Sequence, residues 1–203
     1  MEDNQQIPLW FKRLQGCYFR RRHAYQAAHQ AILGTVQGWE VPSQAIRPLL
    51  RNFRFEVVKA HLPPDRLAET DFARWQIRLA ADLAEQLHHK PAARGVINVC
   101  LAHEIAHIVL GHKPRGGKVF RHWEDEAKVW AAQFLCPWWL LGRRHEIVEV
   151  QRGCLPPKRA LGNLYDVADW LGVPVGYLRR ALELYGILDY GQLRYPTPVG
   201  RSA

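Results

Sequence analysis

The stretch Leu101-Ala102-His103-Glu104-Ile105-Ala106-His107-Ile108-Val109-Leu110-Gly111-His112 decides how the rest of the chain is read. It carries H-E-x-x-H within a longer run, Pro91 to His112, that is apolar on every side and reads as one buried helix. Successive helical residues are about 100° apart, so His103 and His107 lie on one face a turn from each other. Val96, Val99, Cys100 and Leu110 share that face, and the stripe Ile97, Leu101, Ile108 beside it takes in Glu104. Ionisable groups on a buried helix need partners, because an unpaired buried polar group is expensive. A divalent metal ion meets that need. Both imidazoles then face one ion, and Glu104, a step round the helix, reaches a water at the ion's open position. The bland alternative is two core histidines bonded to carbonyls beside a surface Glu, and the apolar surroundings argue against it.

A zinc helix with two His needs a third protein ligand, and catalysis needs a fourth position left open. The run from His122 to Leu135 is expected to form the following helix, stopped by Pro137, and its first turn offers Glu124, Asp125 and Glu126. The helix dipole alone would favour acids there. Helical geometry separates them. Glu124 shares its face with Ala127, Ala131 and Leu135, and small alanines let that face press against the metal helix. Glu126 shares a more mixed surface with Val129, Trp130 and Gln133. Glu124 is the better third ligand. His112 follows His107 by five residues, whereas extended H-E-x-x-H-x-x-G-x-x-H zinc sites need six, so His112 is expected to be structural or to support the site from behind its ligands.

Composition sets the frame. The 203 residues suffice for one sizeable domain, or for one and a small appendage. Hydrophobic residues make up 48% and charged ones 23%, the balance of a globular, soluble chain. A net charge of +9 favours acidic partners, nucleic acid or an acidic protein surface, without choosing between them. Basic residues cluster at Arg20-Arg21-Arg22-His23, Arg143-Arg144-His145 and Arg179-Arg180, runs more often solvated than functional. Cys17, Cys100, Cys136 and Cys154 include no C-x-x-C pair, which suits reduced thiols in a cytoplasmic protein. The polar N-terminus is not expected to act as a signal peptide, and a helix with His-Glu-His at its centre and no second span beside it is not expected to cross a membrane.

Taken in order, 1–41 is expected to be a helical segment with a helix over Arg20–Leu33. Residues 42–150 form the metal domain, opening with a helix at Gln44–Arg51. A strand is expected at Phe53–Ala60 and is ended by Leu62-Pro63-Pro64-Asp65. A second is expected at Ala73–Leu79, where apolar and polar residues alternate. Helix returns at Asp82–His88, and Lys113–Lys118 is a loop. Residues 151–195 are helix-turn-helix-like: from Asn163 a helix, the turn Gly172-Val173-Pro174 and a second helix, with Ala168, Gly172 and Leu178 at the right spacing. Tyr177, Arg179 and Arg180 would be its nucleic-acid contacts, although Asp166, Asp169 and Glu183 put acid on the same unit and favour a packing or substrate-docking role. Residues 196–203 are a tail.

The pairing of His103-Glu104-Ile105-Ala106-His107-Ile108-Val109-Leu110-Gly111-His112 with Trp123-Glu124-Asp125-Glu126-Ala127-Lys128-Val129-Trp130-Ala131-Ala132-Gln133-Phe134-Leu135-Cys136-Pro137 resembles the ImmA/IrrE family of metallopeptidases. That family joins an A-H-E-hydrophobic-x-H-x-x-L-x-H helix to a later E-x-x-A-N/D-x-F-A-A-x-L-L-x-P helix, and the likeness spans roughly residues 42–140. It implies an α+β, mainly helical, zincin-like domain with a small β-sheet. It also implies one Zn2+ held by His103, His107 and Glu124, with Glu104 as general base. His122 or a tyrosine would be the oxyanion donor, and a protein substrate is expected, typically a helix-turn-helix repressor cleaved to release transcription. Lys128 stands where the family has Asn or Asp, Trp130 replaces Phe and Cys136 replaces Met. The approach to the motif also lacks the family's arginine-phenylalanine-threonine run. Two competing readings remain at this level: a DNA-associated metalloprotease of the SprT-like kind, which suits the basic charge, and a non-enzymatic DNA- or repressor-binding regulator with structural zinc.

Overall fold

Ile46, Leu49 and Leu50, spaced to share one helix face, are buried by α1 (Ile46–Asn52), which follows a short 3-10 turn at Pro42–Ala45. The computed structural model containing it describes residues 42–86, 91–113, 120–141, 144, 146–147 and 157–187, with Gln26 and Gln30. Three strands follow: β1 (Glu56–Ala60), β2 (Ala68–Asp71) and β3 (Gln76–Ala80). Their order is β1-β3-β2; β1 runs parallel to β3, with Val57 beside Ile77, and β2 antiparallel to it, with Thr70 beside Ile77. Ile77 and Leu79 point into the core while Gln76, Arg78 and Ala80 are half-buried, the alternation of a sheet covered on one face.

Both strand expectations need correction: β1 starts at Glu56 instead of Phe53, because 53–55 close the preceding helix, and β3 starts at Gln76 instead of Ala73. β2 is not foreseen by the sequence pattern. Residues 72–75 form a turn, in which the Asp71 carboxylate accepts hydrogen bonds from the backbone N–H groups of Ala73 (3.0 Å) and Arg74 (3.1 Å). An Asp that caps its own turn competes with the ladder for these amides.

The helical part comprises α2 (Ala81–Gln86), α3 (Pro91–Val109), α4 (Arg121–Leu135), α5 (Trp138–Leu141), α6 (Pro157–Leu171) and α7 (Val175–Leu184). The class is therefore α+β, mostly helical with a small three-stranded sheet. α3 is the axis: it packs on α1, α2 and β2, and most extensively on α4. It ends three residues before His112. Gly111 takes φ +69°, its amide bonds the Ile108 carbonyl (3.2 Å), and the His112 amide bonds the His107 carbonyl (2.9 Å). This is a Schellman turn, and it sends the chain back over the last turn of the helix.

The pair α6 and α7 is continuous with the same interior. Leu164, Val167, Leu171, Leu178, Leu182 and Tyr185 belong to one core with Ile105, Trp130 and Phe134. The α6–α7 turn sits directly on α3, where Asn98 Nδ2 donates to the Gly172 carbonyl at 2.8 Å. A Cβ added at Gly95 would lie 3.0 Å from the backbone of Val173 and Pro174, so only glycine lets the turn approach this closely. Among the described residues no helix is long and apolar enough to cross a membrane. The expectations for Arg20–Leu33 (except Gln26 and Gln30, both helical and exposed), Cys17, His88, His89, most of Lys113–Lys118, Arg143, His145, Cys154 and the tail lie outside the described residues.

Candidate metal centre

α3 and α4 bring three donors together. His103 Nε2 is 3.1 Å from Glu124 Oε2 and 3.2 Å from His107 Nε2, and His107 Nε2 is 3.5 Å from Glu124 Oε1. The approach depends on the small face of α4: Ala127 and Ala131 are buried at 0% and 1% exposure, one and two turns beyond Glu124. Burial pushes the His107 imidazole down to about 4, with the neighbouring His103 adding to the effect. It is therefore neutral near pH 7, and its lone pair is available to a metal. Glu124 is held below the usual carboxylate range, first by its bond with His103 and last by the Lys128 cation, against the opposing effect of burial. Lys128 thus helps keep the Glu124 carboxylate ionised.

These donors fit a zinc ion. Tetrahedral coordination with bonds of about 2.0–2.1 Å places ligand atoms about 3.3 Å apart, which matches the separations of this trio. Side-chain exposure is 21% for His103 and 40% for Glu124 but 10% for His107, so the cluster is walled behind His107 and open to solvent at Glu124. Three donors and an open side would leave a further coordination position of a bound ion accessible to solvent.

No family model, curated protein or solved structure matches the chain.

Behind His107 the Gly111 turn delivers His112. Its ring is buried, its Nδ1 lies 3.1 Å from His107 Nδ1, and its Nε2 lies 3.0 Å from Glu126 Oε2. One tautomer assignment satisfies this chain: His107 donates from Nδ1 to His112, and His112 donates from Nε2 to Glu126. That assignment leaves His107 Nε2 bare toward the trio. Trp123 stacks on His112 with 4° between the ring planes and 5.2 Å between centroids, fixing the imidazole's tilt. His112 therefore braces His107 from behind the trio, and its buried position does not suit an oxyanion donor. Glu126, the weaker ligand candidate, belongs to this support.

Glu104 is 7% exposed and lies beside the trio. The Thr70 hydroxyl on β2 donates to its Oε2 at 2.7 Å. Burial raises the Glu104 carboxyl above its ordinary value, and the Thr70 bond and His103 pull against that rise. Sequence reasoning missed Thr70 because it missed β2.

The remaining candidates lie elsewhere. His122 is exposed, its ring against Phe120 (5.6 Å) and Trp123 (5.9 Å), with no hydrogen bond to the trio among the described residues. Tyr177 needs correction as a nucleic-acid contact: its hydroxyl is buried and burial pushes it well above its usual value, with the Cys136 and Cys100 thiols close by. α7 turns this residue inward because the helix packs on the core. Arg179 pairs with Glu183 at 3.2 Å, and Arg180 is exposed. Burial also raises the Cys100 thiol to about 11 and raises Cys136 further, so neither is a reactive thiolate near neutral pH.

Proposed function

We propose that the chain is a zinc-dependent endopeptidase of the ImmA/IrrE type. The observation that carries the reading is the convergence of His103, His107 and Glu124 beside a buried Glu104. Zinc held by those three residues would supply Lewis acidity to water and to a peptide carbonyl. The chain's own groups do the rest. Glu104 accepts the proton of the attacking water and returns it to the departing amine. Its raised pKa suits this exchange better than an ordinary carboxylate would. Thr70 holds Oε2, which leaves Oε1 for the proton. The open side at Glu124 admits an extended chain, and His112 with Glu126 keeps His107 aimed.

The substrate class follows from the family resemblance: a helix-turn-helix repressor, whose cleavage releases transcription. The test uses zinc-loaded protein, a candidate repressor encoded beside it, and mass spectrometry of the products. Wild type is expected to cut at a defined bond, and Glu104→Gln is expected to keep its zinc and fold but lose cleavage. If Glu104→Gln cuts as well as wild type, or still relieves repression, the peptidase reading fails and the site is a structural centre of a binding protein.

A further inference from the structure

Among the described residues, two other than glycine have positive φ: Arg54 at 59° and Trp75 at 57°. L side chains adopt this conformation at a cost, and glycine adopts it freely. Arg54 ends α1 in a Schellman turn: its amide bonds the Arg51 carbonyl (3.0 Å), and the Phe55 amide bonds that of Leu50 (2.9 Å). Trp75 closes the β2–β3 hairpin, at another position where glycine is the favoured occupant. Each site therefore holds a large side chain against its backbone preference.

The two sites are neighbours. The Glu56 amide donates to the Trp75 carbonyl at 3.0 Å, and the rings of Phe55 and Trp75 are 5.3 Å apart. Trp75 nonetheless stays 55% exposed, so covering Phe55 uses only part of the indole. Exposed arginines flank these two residues in the chain, Arg74 before Trp75 and Arg54 before Phe55, and Arg47 and Arg51 are exposed on one face of the helix that leads into Arg54. The acids nearby are Asp71, engaged in capping the hairpin turn and 4.0 Å from Arg74, and the exposed Glu56.

We infer that this patch binds single-stranded nucleic acid, with the arginines meeting phosphates and the Trp75 ring stacking on an unpaired base. Guanidinium groups beside an exposed aromatic face are what such a strand recognises. The net charge of +9 favours a polyanion. An acidic peptide would use the arginines but leave the strained indole unexplained, and a duplex hides its base faces. The inference does not depend on the peptidase reading.

The test is fluorescence anisotropy of the full chain with a labelled oligothymidine of about 20 nucleotides, at low and moderate salt. Binding that weakens with salt is expected. Trp75→Gly should weaken it roughly tenfold. Arg54→Gly should weaken it several-fold while keeping or raising the melting temperature, because glycine relieves the backbone; a purely structural arginine would leave binding unchanged. An Arg179→Ala/Arg180→Ala variant should bind like wild type. The inference is overturned if wild type does not bind at low salt or if both glycine variants bind as wild type does. Polyglutamate binding just as tightly with the same dependence on Trp75 would also overturn it, marking an acidic-peptide surface instead.

Discussion

The two halves of α3 meet their neighbours in opposite ways. The N-terminal half makes backbone-close contact: Gly95 faces the Val173–Pro174 peptide and Asn98 bonds the Gly172 carbonyl. The C-terminal half fills comparable interior space with His103, Glu104 and His107, whose partners are a carboxylate, a hydroxyl and another imidazole. Apolar side chains would be the cheaper filling for stability alone. Among the described residues the C-terminal half is the more buried of the two, yet it carries the ionisable groups, while the first half is shaped for close fit.

That contrast is sharpest in variants that damage one half and spare the other. The largest effect belongs to Glu104→Gln, which should lower peptidase turnover by about 10²- to 10⁴-fold with zinc content and melting temperature near wild type. Cleavage kinetics beside metal analysis check both parts. Next is the acid response of the metal-free protein. His107 titrates at about 4 in the fold, below its ordinary value of 6.5, so between those values the unfolded chain binds the extra proton. Its contribution is complete above pH 6.5 and is lost as pH falls toward 4, by on the order of 3 kcal/mol. Urea denaturation across that range should show the slope, and His107→Gln should flatten it.

A smaller effect falls on the other half. Gly95→Ala should cost about 1–3 kcal/mol of stability, because its methyl group meets backbone that cannot swing aside. The folded variant should hold zinc as tightly as wild type, and calorimetry with a chelator competition separates the two quantities. Of similar size is His112→Ala, expected to weaken zinc binding by about 10- to 100-fold through loss of the bond to His107 Nδ1. Unchanged affinity would mean that packing alone aims His107.

The sequence made the chemical half easier to read than the structural frame around it. His103, Glu104 and His107 follow from helical spacing in an apolar run, and Glu124 from an alanine face that is buried here at Ala127 and Ala131. Thr70 was out of reach. β2 is only Ala-Glu-Thr-Asp, in which Thr70 alone favours strand, and it exists because β3 pairs with it. Gly111 was visible as a helix stop, but its Schellman geometry, which turns His112 back onto His107, depends on how far α3 runs. The helix-turn-helix spacing was equally legible, yet the same Ala168–Gly172–Leu178 pattern here serves packing against α3, and Tyr177 faces inward. A spacing rule reports that two helices cross; it does not report which face is free.

The proposed zinc centre of α3 and α4 stands on three ligands, with Glu124 as the third. Elemental analysis of purified protein decides this, on wild type beside Glu124→Ala and Glu126→Ala. About one zinc per chain is expected in wild type. The metal should be lost with Glu124→Ala and retained, at weakened affinity, with Glu126→Ala. Wild type without zinc even after the metal is supplied, or zinc that survives the loss of Glu124, would contradict it.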